Sequence, residues 1–241
     1  MLKISNQAHY HKQAARQLLA QLDGYEPETD LLLQIDDDSI AICTQIQHQK
    51  ACFEHSFTST RLRQRAQQKK QALLKACNSK KNDIHNVTDL TAGWGKDSFI
   101  LASHGQQVTM VEQQPLIHGC VNFLLSIAAK ETQDPVFDRL EIHHRQGLEY
   151  LQGLAPAQYP DCIYLDPMFP AHKSTARPGK DLQILQLLTD NSDMQATFEA
   201  ALQVAAKRVV VKRPLHAPTL DARTPDIVYR EKTIRFDVYL A

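Results

Sequence analysis

Three short stretches carry side chains suited to chemistry: "DLTAGWGKDS" (89–98), Glu112 at the end of "QVTMVE", and "YLDPMFP" (164–170). In the last, an apolar run ends in Asp166, Pro167, Met168 and Phe169. Asp is a poor strand residue and Pro cannot donate to a ladder, so the strand stops there and these side chains stand at its carboxyl end. An exocyclic amine on a purine is a weak nucleophile, because its lone pair is delocalised into the ring. A carboxylate at Asp166 and a carbonyl near Pro167 can accept hydrogen bonds from such an NH2. They would steer the lone pair toward an electrophile and stabilise the positive charge that develops. Pro167 stiffens the loop, and Phe169 offers a face on which an unpaired or flipped base stacks. An aspartate, a proline and an aromatic also make a plain turn, so the motif gains meaning only from its surroundings.

The glycine-rich stretch supplies them. Gly93 and Gly95, with Thr91 and Ala92 before them, allow a tight turn and close backbone approach to a ligand at a helix N-terminus. Glu112 lies nineteen residues after Gly93, at a second strand end, where an acid can accept hydrogen bonds from ribose hydroxyls. A dinucleotide fold wants a third glycine three residues after the second; that position is Ser98. Asp97 would also repel a pyrophosphate. A carboxylate there suits a neutral or cationic ligand such as S-adenosyl-L-methionine, with Lys96 pairing the carboxylate of its amino-acid moiety. Sulfonium chemistry needs neither a metal nor a nucleophilic side chain.

The elements that must position these residues alternate from residue 82 onward. "NVTDL", "QVTMVE", "RLEIHH", "DCIYLD" and "KRVVVKRP" read as strands, with "KDSFILASH", "PLIHGCVNFLLSIAAK" and "MQATFEAALQVAA" as helices between them. Such alternation implies a parallel sheet covered on both faces. "DIVYREK" and "TIRFDVYL" are too close in sequence for a crossover and must pair antiparallel. The expected fold is therefore α/β, a doubly wound Rossmann-like sheet over 82–241 that ends in an antiparallel hairpin. A small β-rich N-terminal lobe over 1–59 precedes it, from "LLLQI", "IAICTQI" and "ACFEHSF". A basic helix over 60–77, "TRLRQRAQQKKQALLKAC", anchors the connector 60–81.

Composition sets limits on partners. The 241 residues hold 27 Lys plus Arg and 27 Asp plus Glu, so any nucleic-acid affinity must come from local patches. One patch is the connector, with Arg61, Arg63, Arg65, Lys69 and Lys70. Another is "HKSTARPGK", where His172, Lys173, Arg177 and Lys180 follow the Asp166 motif and could clamp an RNA backbone. Lys212 and Arg213 end a strand on the same edge and are expected to add phosphate contacts. Lys207 and Arg208 begin that strand and are expected to be solvated. Five scattered cysteines without a C-x-x-C pair suggest reduced thiols in a cytoplasmic protein and no zinc site. No stretch approaches a membrane span, and the first residues form no signal peptide. No metal is expected elsewhere: Asp36–Asp38 reads as a solvated turn, His9 and His11 as surface residues. The neighbouring His143 and His144 point to opposite strand faces. Trp94 either covers the cofactor or packs.

"DLTAGWGKDSFILASHG", "VTMVEQQP", "YLDPMFP", "KRVVVKRP" and "RFDVYL" also resemble, in order and spacing, the ribosomal RNA small subunit methyltransferase J family, from about residue 86 to the C-terminus. The resemblance implies an S-adenosylmethionine-dependent enzyme that methylates N2 of one guanine in bacterial small-subunit (16S) ribosomal RNA. Its partner would be that RNA or the small ribosomal subunit. The resemblance further implies that Lys96, Asp97, Glu112, Gln113, Gln146, Gly147 and Asp166 line the cofactor pocket. Family members commonly carry Arg at Lys96 and Gln113, small hydroxyl residues at Gln146 and Gly147, and a Gly-rich basic stretch where residues 57–78 here have none. Other readings are an NAD-dependent oxidoreductase, a non-catalytic RNA-binding relative, and an amino-methyltransferase acting on adenine N6 in DNA or on a protein amide. Only the family resemblance selects guanine and ribosomal RNA.

Overall fold

The structure, a computed structural model, describes residues 1–46, 49–77, 84–167, 180–188, 194–221 and 223–241. It begins with strand β1 (Leu2–Asn6) and helix α1 (Lys12–Gln21), two elements that sequence patterning did not reveal. Strands β2 (Leu31–Ile35), β3 (Ile40–Ile46) and β4 (Gln49–His55) follow. They form a four-stranded sheet in the order β1-β2-β3-β4, with β1 parallel to β2 and the remaining pairs antiparallel. The period-2 alternation of β2 turns Leu31, Leu33 and Ile35 inward, and β3 adds Ile40 and Ile42. The turn at Asp36–Asp38 is more than a solvated hairpin. Asp37 Oδ1 accepts the backbone N–H groups of His9, Tyr10 and His11, which fixes the entry to α1.

Two expectations fail in this region. Cys43 and Cys52 are not reduced thiols but a disulfide, because the β3–β4 register sets them directly opposite each other with Cα atoms 4.1 Å apart. Cysteine usage therefore gives no ground for a reducing compartment; Cys77, Cys120 and Cys162 are free and buried. The basic stretch is likewise not one helix. It breaks into α2 (Thr60–Ala66) and α3 (Ala72–Cys77). Gln71 folds back to donate its side-chain amide to the Arg65 and Gln68 carbonyls, and a histidine ring nitrogen of His104 bonds the Ala66 carbonyl. These side chains satisfy the helix end that propensity alone would have extended.

The remaining elements are β5 (Asn86–Asp89), α4 (Lys96–Ser103), β6 (Gln107–Glu112), α5 (Pro115–Thr132) and β7 (Leu140–His144). Then come α6 (Gly147–Gln152), β8 (Cys162–Leu165), α7 (Lys180–Leu188) and α8 (Met194–Val204). The chain ends with β9 (Arg208–Pro214), β10 (Ile227–Arg230) and β11 (Ile234–Leu240). Short α6 and helix α7 are not among the helices expected from the sequence. The seven-stranded sheet runs β10-β11-β9-β8-β5-β6-β7, parallel except that β11 lies antiparallel to both β9 and β10. The order reverses between β5 and β8, which is where a doubly wound sheet opens its ligand crevice.

Alternation distributes the sheet's side chains between two faces. Val87, Val108, Met110, Cys162, Tyr164 and Val210 pack on α3, α4 and α5, in one continuous core with α1 and the small sheet. Val111, Ile163, Leu165, Val209 and Val211 pack on α6 and α8. Helix α5 is apolar nearly all round because α1 covers its outer side. A Cβ at Gly119 would lie 2.9 Å from Leu18 Cδ1, so a larger residue there would require the Leu18 side chain to shift. Arg208, expected in solvent, is 1 % exposed and donates to the Ala76 carbonyl at 2.9 Å, tying β9 to α3. Lys207 pairs with Asp161 at 2.8 Å.

Candidate active site

The carboxyl ends of β5, β6 and β8 converge on the loop that leads into α4. After β5 the chain still bonds to both neighbours: Leu90 N–H donates to the Tyr164 carbonyl at 3.0 Å, and Ala92 N–H to that of Val111 at 3.2 Å. It then turns through Gly93 (φ +50°) and Gly95 (φ +67°), both in the left-handed region that disfavours a side chain. A Cβ at Gly93 would crowd Leu185 of α7, and one at Gly95 would crowd Phe57, each at 3.1 Å. Glu112 braces this loop from β6. Its Oε2 accepts Gly93 N–H at 2.8 Å and its Oε1 accepts Gln114 N–H at 2.7 Å. Burial pushes the Glu112 carboxyl up to about 6, against those backbone donors. Glu112 is thus first a scaffold for the turn, its carboxylate gathering the backbone N–H groups of Gly93, Gln113 and Gln114.

Asp166 stands across the reversal point from this loop. Its backbone N–H donates to Thr91 Oγ1 at 2.6 Å, which pins the end of β8 to the turn after β5. Its carboxylate receives Lys212 Nζ on Oδ2 at 2.6 Å, and the same ammonium lies 2.9 Å from Asp97 Oδ2. Asp97, in the first turn of α4, also accepts from Tyr164 Oη at 2.8 Å and from Arg65 at 3.3 Å. Burial opposes ionisation of Asp97, but Lys212 and Arg65 outweigh it and hold the carboxyl down at about 2. Burial pushes Asp166 up against the pull of Lys212, and the Asp97 carboxylate pushes the same way. The two carboxylates keep Lys212 firmly protonated despite its own burial. Beneath them Asp89, 1 % exposed, accepts from Ser98 Oγ at 2.6 Å and Thr91 N–H at 3.1 Å. Burial raises its carboxyl to about 7.

Sequence patterning assigns Asp89, Ser98 and Tyr164 no part in the site, and gives Lys212 a different task. A signal for the last existed in the pairing. β8 and β9 match Tyr164 with Val210 and Leu165 with Val211, so the next step faces Asp166 with Lys212. Lys212 and Arg213, expected as phosphate contacts, are instead engaged within the protein. The first is turned onto two carboxylates, and the second is 5 % exposed and donates to the Pro218 carbonyl. Trp94 packs rather than covers; it is 4 % exposed against Phe53 at 4.8 Å between ring centroids. Lys96 lies over the Phe53 ring at 4.6 Å. Gln113 and Gln146 are exposed just beyond β6 and β7, where the Gln113 carbonyl accepts from His144 Nε2 at 3.0 Å. Gly147 opens α6, close against Leu90 and Thr197. Pro167 is buried. Phe169, His172, Lys173 and Arg177 lie outside the described residues, as does the side chain of Lys180 at the start of α7.

Of the connector cations, Arg63 pairs with Asp134 at 3.1 Å. Arg61, Arg65, Lys69 and Lys70 are exposed. Arg61, Arg65 and Lys70 border an open groove of about 440 Å³ whose lining includes Gln68, Gln71 and Glu231. Arg65 belongs both to this groove and to the Asp97 network.

The donor set fits S-adenosylmethionine. An acid in the first turn of α4 disfavours a pyrophosphate there, and Asp97 and Asp166 together favour a ligand with positive charge. Among the described residues no cluster of His, Cys, Asp or Glu could hold a metal ion, and no helix is long and apolar enough to cross a membrane. Residues 14–241 match the family described as "Putative SAM-dependent methyltransferase". Ribosomal RNA small subunit methyltransferase J of Thioalkalivibrio sulfidiphilus is 34% identical over 231 residues, covering 94% of this chain and 91% of its own. The protein of that name from Cellvibrio japonicus is 33% identical over 230 residues, covering 90% and 86%. The crystal structure of a SAM-dependent methyltransferase from Neisseria gonorrhoeae superposes with a TM-score of 0.70 at 28% identity, covering 99% of this chain and 95% of that one. With this fold, this loop and these relatives, the chain belongs to the ribosomal RNA small subunit methyltransferase J family of S-adenosylmethionine-dependent methyltransferases.

Proposed function

We propose that the protein transfers a methyl group from S-adenosylmethionine to the exocyclic N2 of a guanine in small-subunit (16S) ribosomal RNA, in the cytoplasm. The observation that carries this reading is the Asp166 carboxylate at the end of β8. It is partly exposed, is held by Lys212, and lies beside the glycine turn. Thr91, Ala92, Gly93, Gly95, Lys96, Asp97, Glu112, Gln113, Gln146 and Gly147 are the residues assigned to the cofactor. S-adenosylmethionine supplies an electrophilic methyl on a sulfonium.

Asp166 accepts a hydrogen bond from the guanine N2 amine and aims its lone pair, while Pro167 fixes the backbone beside it. As the N–CH3 bond forms, the S–CH3 bond breaks and the sulfonium charge is neutralised. The amine then carries the positive charge and releases one proton, through Asp166, to solvent. Phe169 supplies the stacking face for a base removed from its helix. Arg61, Arg65, Lys69 and Lys70, with His172, Lys173, Arg177 and Lys180 on the other side of the motif, contact the RNA backbone. A different acceptor, adenine N6 or a protein amide, would satisfy the same carboxylate, so ribosomal RNA is assigned on the names of the relatives and guanine N2 on the family resemblance alone.

Nucleoside mass spectrometry tests the proposal. Small-subunit ribosomal RNA from a strain lacking this gene, naked or in assembled particles, is incubated with the protein and S-adenosylmethionine. New N2-methylguanosine is expected. Methyl transfer to adenine or to protein instead, with guanine untouched, overturns the assignment.

A further inference from the structure

Lys212 has the composition of a phosphate contact and the geometry of something else. Its side chain is 20% exposed, and its ammonium lies 2.6 Å from Asp166 and 2.9 Å from Asp97. A lysine that grips a phosphate keeps its ammonium toward solvent; this one is turned onto two carboxylates on neighbouring elements. We propose that Lys212 is a positioning residue of the methyl transfer, keeping the Asp166 carboxylate ionised and fixed in the orientation that accepts the target amine. The inference rests on the role given to Asp166 above and goes beyond it.

The two acids are not equally dependent on Lys212. Asp97 also holds Arg65 and the Tyr164 hydroxyl. Among the described residues, Lys212 is the only side chain that donates to the Asp166 carboxylate. Charged and titratable groups face Asp166 from every side: Asp97 from α4, Asp89 from β5, Tyr164 from β8, Arg65 from α2 and Lys212 from β9. Neighbouring carboxylates raise one another's affinity for a proton, and Arg65, 3.3 Å from Asp97, holds the charge on that acid even without Lys212. Remove Lys212, and the proton that the pair takes up goes to the acid with fewer donors, Asp166. A protonated Asp166 presents an O–H to an amine that is itself a donor, the wrong polarity for aiming its lone pair. The released carboxyl also loses the contact that sets its rotamer.

The test compares Lys212→Met, Lys212→Arg and Asp97→Asn with the wild type on the unmethylated RNA, at saturating S-adenosylmethionine, across pH. For Lys212→Met, kcat is expected to fall about 100-fold, the scale of losing the alignment of one reacting group. KM for RNA should stay within about threefold, since no phosphate contact is lost. The acid limb of its kcat profile should move to higher pH, because Asp166 then protonates more readily. Lys212→Arg should recover much of kcat. Asp97→Asn removes the competing acid and should move the acid limb to lower pH, a second reading that survives if Lys212→Met does not fold. Unchanged kcat and acid limb in the folded Lys212→Met, or a raised KM with a flatter salt dependence, overturns the inference. So does an unmoved limb in Asp97→Asn. Absence of turnover by the wild type would instead overturn the reading of Asp166, and this inference with it.

Discussion

At the scale of residues, the site is a set of acids whose protonation is set by who sits beside them. Asp97 has two cations and is held near 2; Asp89 has only neutral donors and is raised to about 7. For an acid whose folded-state value is raised, the native protein binds the proton more tightly than the unfolded chain. Stability from Asp89 is therefore present at low pH and is lost as pH rises from its unfolded value of 3.8 toward about 7. Glu112 acts in the same direction over 4.5 to about 6. Urea unfolding at pH 5 and pH 8 should show wild-type stability falling with pH. In Asp89→Asn that fall should be smaller by about 2 kcal/mol. An equal fall in both proteins would contradict the assignment. Of these residues, Glu112 and Asp166 were legible in sequence because they end strands. Asp89 also ends a strand, but its partner Ser98 is recognised only once the glycine turn folds α4 back on β5.

At the scale of elements, the core strands and their helices were readable because each carries an unbroken apolar pattern between turn residues. Strand β1 and helix α1 were not. β1 is mostly exposed at a sheet edge, and α1 buries only Ala14, Ala15 and Leu18 against α5 and its surroundings. The split between α2 and α3 was hidden for a different reason: nothing in residues 67–71 breaks a helix, and it ends through tertiary contacts, Gln71 bonding back to Arg65 and Gln68 and His104 to Ala66. Gly95 is where sequence and geometry agree most closely. Its φ of +67° and the 3.1 Å approach of Phe57 predict that Gly95→Ala loses about 1–2 kcal/mol. Isothermal titration should show weakened S-adenosylmethionine binding in the same variant, since the turn it supports would shift. The β3–β4 hairpin offers a separate check. Replacing both Cys43 and Cys52 with Ser should lower stability by about 2 kcal/mol under oxidising conditions, as judged from the denaturation midpoint. Under reducing conditions the difference should vanish.

At the scale of the whole molecule, equal numbers of acidic and basic residues hide an uneven arrangement. Some cations are spent inward: Arg208 on the Ala76 carbonyl, Arg235 on Asp237 and the carbonyls of Pro214, Leu215 and Ala217, and Lys212 on the acids. Sequence charge alone could not separate these from the exposed Arg61, Lys69 and Lys70, because burial is a tertiary property. The small sheet was legible as β-rich, but not that it shares one hydrophobic core with the large sheet through α1, α4 and α5. The groove beside Arg65 predicts how RNA affinity responds to salt. In Arg61→Gln with Lys70→Gln, the slope of log affinity against log salt should fall by about one per residue. kcat at saturating RNA should be unchanged, and an unaltered slope would remove the groove from the RNA path.

In the proposed reaction the Asp166 carboxylate acts on the amine that receives the methyl group. Single-turnover methylation by Asp166→Asn, with S-adenosylmethionine affinity measured on the same preparation, tests it most directly. A methyl-transfer rate lower by about 100-fold or more is expected, with cofactor affinity changed little. A rate close to wild type, or a loss explained wholly by failure to bind S-adenosylmethionine, would contradict it.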